Sequence, residues 1–220
     1  MKSETFNSDC LAAMREMDDN QFDLAIVDPP YGIERDGHNG VISSGWKKHE
    51  WKGRDNATPT ADYFSQLKRV SVNQVVWGAN YFTQFLPSSM GWICWYKGQE
   101  GLTMSDCELA YSSFNRATRH TTVFRLELVK DGVIHPTQKP VALYKWLLTN
   151  YAKPGDTILD THMGSQSSRI AAYDLGFDYC GFELDEDYFK AGEERFARHI
   201  AQPNMFAPTA LIATQEGLFQ

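Results

Sequence analysis

The sequence predicts an α/β fold: a mostly parallel central sheet with helices on both faces. Three observations predict it. Short apolar runs bounded by turn signals alternate with stretches whose apolar residues recur at helical spacing. The run Leu24–Val27 is apolar at every position, the pattern of a strand buried on both faces. Acidic residues, Asp9, Asp28 and Glu183, stand where three of the expected strands end. In open α/β sheets that edge is where ligands bind.

At 220 residues the chain is expected to be one domain, residues 1–202, followed by a weakly ordered tail over 203–220. The start is polar, and no apolar run approaches the ~18 residues a membrane span needs. The four cysteines (Cys10, Cys94, Cys107, Cys180) are widely spaced and form no metal-binding pattern, which suits a reducing cytoplasm. The net charge of −7 weighs against a nucleic-acid partner, but basic residues are grouped. Lys47, Lys48, Lys52 and Arg54 cluster with Trp46 and Trp51, and Arg116 and Arg119 form a second group with His120 and Arg125.

In chain order, a first strand leads toward Asp9 and Cys10, and Leu11, Met14 and Met17 predict a short helix. Phe22–Val27 is the next strand. It must stop at Asp28-Pro29-Pro30-Tyr31, because prolines lack the N–H a ladder needs. Residues 33–60 carry no clean periodicity and read as a loop over the active site. Ala61–Lys68 is helical, Val72–Trp77 a strand, Tyr81–Leu86 a short helix stopped by Pro87, and Trp92–Tyr96 an aromatic strand. Cys107–Ser113 and Thr121–Leu128 read as two strands, taken as antiparallel. His135-Pro-Thr-Gln-Lys-Pro140 opens a helix with an apolar face from Val141 to Leu148. Thr157–Asp160 is a buried strand, Thr161–Ser168 a small-residue turn into a helix stopped by Gly176, Asp178–Leu184 a strand, and Asp185–Ile200 an amphipathic helix.

Asp28-Pro29-Pro30-Tyr31 suits methylation of an exocyclic amino group. Such a nitrogen is a poor nucleophile because its lone pair is delocalised into the ring. The Asp28 carboxylate and Pro29 carbonyl can accept both amino protons and free that lone pair for in-line attack on a sulfonium methyl. Tyr31 offers a stacking face, a contact of about 1–3 kcal/mol per base in other systems. A chance tetrapeptide at a strand end is the plain alternative, and it is the rest of the chain that disfavours it.

The unit from Asp160 to Glu183 follows nucleotide-binding logic. A turn with Gly164 and Ser165 allows close backbone approach, and an acid about 20 residues on can take ribose hydroxyls. One glycine suits S-adenosylmethionine, whose anion is a carboxylate, better than a dinucleotide. Thr137 and Lys139 could take that carboxylate, although the 135–139 segment also reads as a surface turn and Glu183 as a helix cap.

With these motifs in this order the chain resembles the exocyclic-amino DNA methyltransferases, the N6-adenine and N4-cytosine enzymes, and within them a compact, phage-like β class. The resemblance implies a Rossmann-like S-adenosylmethionine-dependent methyltransferase fold, S-adenosylmethionine as cofactor, no metal, and a flipped-out DNA base as acceptor. It implies Asp28, Pro29, Pro30 and Tyr31 as catalytic. It implies Asp9, Cys10, Asp28, His135, Thr137, Lys139, Asp160, Thr161, His162, Gly164, Ser165, Glu183 and Leu184 at the cofactor. DNA contacts fall to Lys47, Lys48, Lys52, Arg54, Arg116 and Arg119, with 33–60 and 98–120 as target-recognition loops. A homodimer stays open. The family's cofactor loop usually reads Asp-Pro-Phe-x-Gly-Ser-Gly; here it is Asp160-Thr-His-Met-Gly-Ser-Gln166, with His162 for an aromatic and Gln166 for a glycine.

The leading reading is adenine-N6 methylation of DNA. N4-cytosine methylation uses the same mechanism, although Ser at the Asp28 position is its commoner signal. RNA adenine and protein amide methylation are further alternatives, and a non-catalytic nucleic-acid binder with a decayed cofactor loop rests on Gln166. Cytosine-C5 methylation is disfavoured because no cysteine follows a proline.

Overall fold

The computed structural model describes residues 1–33, 58–101, 105–124 and 126–202. Their eight strands form one sheet: β1 (Ser3–Phe6), β2 (Phe22–Val27), β3 (Ser71–Trp77), β4 (Ile93–Tyr96), β5 (Cys107–Ser112), β6 (Arg119–Thr122), β7 (Thr157–Asp160) and β8 (Asp178–Phe182), in the spatial order β1-β8-β7-β2-β3-β5-β4-β6. All neighbours are parallel except at β5, which runs antiparallel to both β3 and β4.

The helices are α1 (Cys10–Arg15), α2 (Ala61–Val70), α3 (Leu126–Asp131), α4 (Val141–Tyr151), α5 (Ser167–Leu175) and α6 (Glu186–Ala201). Side chains alternate across a strand, so β2 feeds two cores. Leu24 and Ile26 join a cluster with Leu143 and Leu147 of α4 and Ile170 of α5. Ala25 and Val27 join another with Met14 of α1 and Phe64 and Leu67 of α2. Helices therefore cover both faces, and the unbroken apolar run of β2 is the consequence of burial on each side. Each of these large side chains contributes about 1.5–3 kcal/mol by leaving water.

Local chemistry ends the helices where the sequence places them. Asp9 caps α1 by accepting from Leu11 N at 2.9 Å. Asp185 caps α6 through the N–H groups of Asp187 and Tyr188. Gly176 stops α5 at φ 80°, a left-handed position that glycine adopts without steric cost.

Three expectations are corrected. Tyr81–Leu86 is not a helix: a single 3₁₀ turn spans Ala79–Tyr81 and the chain continues through turns. The strand expected over Thr121–Leu128 ends at Thr122, and Leu126 already belongs to α3. That strand, β6, pairs in parallel with β4 rather than antiparallel with β5. Alternation in the sequence marks a half-buried strand but does not name its partner. The loop expected over 33–60 and the tail over 203–220 lie almost entirely outside the described residues. Among the described residues no helix is long and apolar enough to cross a membrane.

Candidate active site

Because β1, β8, β7 and β2 are parallel neighbours, the segments after Phe6, Phe182, Asp160 and Val27 leave the sheet at one edge. Hydrogen bonds tie those segments together. Asn7 Nδ2 donates to the Glu183 carbonyl at 2.8 Å, and Met163 N donates to the Phe182 carbonyl at 2.9 Å. Gly164 N donates to Glu183 Oε2 at 3.0 Å, while Glu183 Oε1 accepts from Asp185 N at 2.8 Å.

Asp28 sits at this edge, its side chain 13% exposed. The Tyr31 hydroxyl donates to Asp28 Oδ1 at 2.5 Å, and Lys139 Nζ donates to Oδ2. The Tyr31 ring stacks on Tyr81, with centroids 5.2 Å apart and planes 16° from parallel. It also lies against Gly78, where an added Cβ would stand 2.1 Å from Tyr31 Cε1. Gly78 has φ 64°, so both its backbone and this approach require glycine. The sequence offers Tyr31 as a stacking face for a base; the fold adds an aromatic neighbour, Tyr81, against the ring and a bond from its hydroxyl to Asp28.

Lys139 is 4% exposed and lies 5.4 Å from the centre of the Trp77 ring. It was expected at the cofactor carboxylate. The fold places it between two carboxylates, Asp28 and Glu108 of β5, with Glu108 Oε2 at 3.3 Å. Lys97, which follows β4, pairs with Glu108 Oε1 at 2.5 Å. Burial raises the Asp28 pKa, with Lys139 opposing and the Glu108 charge adding to it. Glu108 is desolvated too, yet two lysines hold it at about 2. Lys139 is raised by its two carboxylates against the cost of its burial.

Asp160 was expected to touch the cofactor. It is 1% exposed and turned inward: Oδ2 accepts from Ser168 Oγ at 2.6 Å and Oδ1 from His162 N at 3.0 Å. These bonds hold the 161–168 turn from beneath. Burial pushes its pKa up to about 7. Thr161 is likewise buried, bonded to Tyr63 of α2 at 2.7 Å and to His162 Nδ1 at 2.9 Å. The His162 ring meets Tyr63 edge-on at 5.6 Å. His135 lies over Gly164, its ring atoms 3.4 Å from where a Cβ would be, and packs edge-on to Tyr188 at 4.4 Å. Burial lowers both histidines to about 4, so each is neutral at pH 7. Thr137 turns back on His135, its hydroxyl 3.3 Å from Nδ1. Ser165 is buried beside Ser167, at 3.1 Å between hydroxyls. Cys10 is buried at the start of α1, and its thiol is pushed up to about 12. Asp9 and Leu184 are exposed.

Gln166, the departure from glycine, keeps the left-handed backbone, with φ 60°. Its side chain is fully buried and points away from Gly164 toward α6. There Nε2 donates to Glu193 at 2.9 Å, Oε1 accepts from Arg169 at 2.8 Å, and the side chain fills the space above Gly192. A glycine on the helix thus compensates for a missing glycine in the loop. The residue that suggested a decayed cofactor loop takes a left-handed conformation open to glycine and buries its side chain outside the turn.

Of the basic residues expected at DNA, the described ones, Arg116 and Arg119, are not brought to Asp28. Arg116 bonds to the Asn150 carbonyl and lies 5.3 Å from the Tyr151 ring, at the carboxyl end of α4. That is about 16 Å along α4 from the end next to Lys139. Arg119 is on the edge strand β6, four strands and roughly 19 Å from β2. Lys47, Lys48, Lys52 and Arg54 lie outside the described residues. Sequence reasoning missed Glu108 and Lys97. Their signals were a carboxylate inside the apolar strand Cys107-Glu-Leu-Ala-Tyr111 and a lysine closing the aromatic strand Trp92–Tyr96.

Comparisons with known proteins show what the chain is similar to in sequence and fold. The chain is 23% identical to the Type II methyltransferase M2.MboI of Moraxella bovis, over 87% of this chain and 86% of that one. It is 23% identical to the Type II methyltransferase M.HpaI of Haemophilus parainfluenzae, over 86% of this chain and 72% of that one. Its fold matches that of the M1.HpyAVI–SAM complex with a TM-score of 0.62 at 16% identity, covering 88% of this chain and 98% of the other. It matches the cytosine-N4-specific PvuII DNA methyltransferase with a TM-score of 0.61 at 14% identity, covering 94% and 89%. The DNA methylase family profile matches residues 76–194, more than half of the chain and downstream of Asp28. The chain belongs to the N6/N4 family of DNA methylases.

Proposed function

We propose that the chain transfers a methyl group from S-adenosylmethionine to the N6 amino group of adenine in DNA, acting on a flipped-out base. The observation that carries this is Asp28, fixed by Tyr31 and Lys139 at the sheet edge beside the 160–166 turn. A carboxylate offers about four acceptor sites, so Asp28 keeps two for an amino group after binding Tyr31 and Lys139. The Pro29 carbonyl is the second acceptor in this reading, and Pro30 fixes the turn. Asp28, where serine is the commoner N4 signal, favours adenine over cytosine.

The residues at the edge fit the cofactor. Glu183 spends one lone pair of each oxygen on backbone N–H groups and keeps another for ribose hydroxyls. Phe6, stacked on Phe182 at 5.3 Å and 43% exposed, and Leu184, 60% exposed, offer apolar cover for an adenine ring. Asp9 adds an exposed acceptor. His135, His162, Thr137, Gly164 and Ser165 shape the turn between Glu183 and Asp28. When bound, the cofactor supplies an electrophilic methyl group. In this reading Asp28 and the Pro29 carbonyl would hold the amine, and Tyr31 would hold the Asp28 carboxylate in place. Residues 1–202 act as one domain in this reading, with 33–60 and 98–120 selecting the target and Lys47, Lys48, Lys52 and Arg54 binding phosphate.

The test is transfer from methyl-labelled S-adenosylmethionine to unmethylated genomic DNA, followed by digestion to nucleosides. N6-methyldeoxyadenosine is the expected product, absent from Asp28→Asn while that variant still binds the cofactor. N4-methyldeoxycytidine would refute the choice of base. Turnover by Asp28→Asn would refute the role of the carboxylate.

A further inference from the structure

Beneath Asp28 lies a row of alternating charges drawn from four separate segments. Lys97 follows β4, Glu108 is in β5, Lys139 precedes α4 and Asp28 follows β2. The side chains are 11%, 22%, 3% and 13% exposed, respectively. Ions this shielded persist only if paired, because desolvation costs several kcal/mol for each. The pairing is uneven. Lys97 and Glu108 meet at 2.5 Å, whereas Glu108 Oε2 is 3.3 Å from Lys139 and lacks a well-aligned hydrogen bond. Lys139 leans to Asp28 and reaches the Tyr31 hydroxyl at 3.3 Å.

We propose that Glu108, held by Lys97, is a positioning residue that divides the Lys139 ammonium between itself and Asp28, and so sets how strongly Asp28 accepts a hydrogen bond from the target amino group. The inference rests on the reading of Asp28 given above. A carboxylate locked alone against a buried ammonium is a poor acceptor for a third group. A second carboxylate on the same lysine relaxes that grip, and Lys97 keeps the second carboxylate from taking the ammonium outright. The directions agree. The Glu108 charge raises the Asp28 pKa, while Glu108 itself is held at about 2, so Asp28 is the more basic of the two. The other groups whose charges reach this cluster are Tyr31, Tyr144 of α4, Tyr63 of α2, Asp160 of β7 and His135, which burial and the Lys139 charge lower to about 4 so that it is neutral over the range measured. The three tyrosines are raised well above 10 and stay neutral. Asp160, which burial pushes up to about 7, bonds to Ser168 and His162 and is left unchanged in both variants, so its effect on Asp28 is common to all the profiles compared.

The two flanking residues should act with opposite sign. Glu108→Gln removes a negative charge, so Asp28 stays ionised to lower pH. Lys97→Met removes a positive charge, lets Glu108 draw on Lys139 more fully, and makes Asp28 harder to ionise. The experiment measures kcat from pH 4.5 to 9 with labelled S-adenosylmethionine and unmethylated genomic DNA. Cofactor Kd and thermal unfolding are followed in parallel. Expected for Glu108→Gln are a roughly tenfold lower kcat, an unchanged cofactor Kd, and an acid limb displaced downward by about half a pH unit or more. For Lys97→Met the acid limb moves upward, and this variant carries the test if Glu108→Gln does not fold. A purely structural role would lower activity or stability without moving the limb. Limbs unmoved in both variants, or moved in the same direction, overturn the proposal. If Asp28→Asn is inactive while both limbs stay put, the methyltransferase reading stands and only this inference falls.

Discussion

Gln166 and Gly192 are predicted to be coupled strongly enough that one substitution changes sign with its background. Gly192 lies inside α6, where glycine costs about 1 kcal/mol relative to alanine. Gly192→Ala would ordinarily stabilise the helix by that amount. Here the new Cβ would lie 2.7, 2.8 and 2.9 Å from Gln166 Nε2, Cγ and Cδ. Gln166 cannot swing aside: it is fully buried and bonded to both Glu193 and Arg169. Overpacking of this kind costs about 1–3 kcal/mol, so Gly192→Ala should be destabilising by about 1 kcal/mol net. Gln166→Gly removes the obstacle and relieves a left-handed residue, worth about 1–2 kcal/mol. It also forfeits two charge-assisted hydrogen bonds of about 1.5–3 kcal/mol each, so alone it should be destabilising by about 1–5 kcal/mol net. Within the Gln166→Gly background, Gly192→Ala should stabilise by about 1 kcal/mol. Urea unfolding of the four proteins measures a coupling of about 2 kcal/mol, or roughly 4–8 °C in Tm. Additivity to within about 0.5 kcal/mol would refute the reasoning.

Lys139→Met leaves Asp28 and Glu108 facing each other without their shared cation. Loss of one partner from a buried ion pair costs about 3–5 kcal/mol, and unfolding at unchanged stability would contradict the buried cluster. Tyr31→Phe keeps the ring but deletes the donor to Asp28. Turnover should fall about tenfold with cofactor affinity unchanged, and unchanged turnover would return the role of Tyr31 to its ring alone. His162, held at about 4 in the fold, binds a proton only in the unfolded chain between about pH 4 and 6.5. Unfolding there takes up a proton, so acid favours the unfolded state. His162→Asn should lessen the loss of stability across that window by up to about 1.4 kcal/mol per pH unit, read from denaturant midpoints.

The sequence by itself determined what depends on neighbours along the chain. The apolar run of β2, the stop imposed by Pro29 and Pro30, the cap at Asp9 and the glycine after α5 are set by backbone sterics and by periodicity within a few residues. These placed Asp28 and Glu183 at strand ends and gave the α/β class. The tertiary structure decided everything that depends on pairs far apart in the chain. Lys139 meets Asp28 across 111 positions, and Glu108 joins them only because β5 runs antiparallel between β3 and β4. Asp160 turns inward because Ser168 waits on the next helix. Gln166 can replace a glycine because Gly192, on a different helix, leaves room for it. Electrostatic pairing and packing act through space, at distances of a few ångströms that sequence separation does not encode.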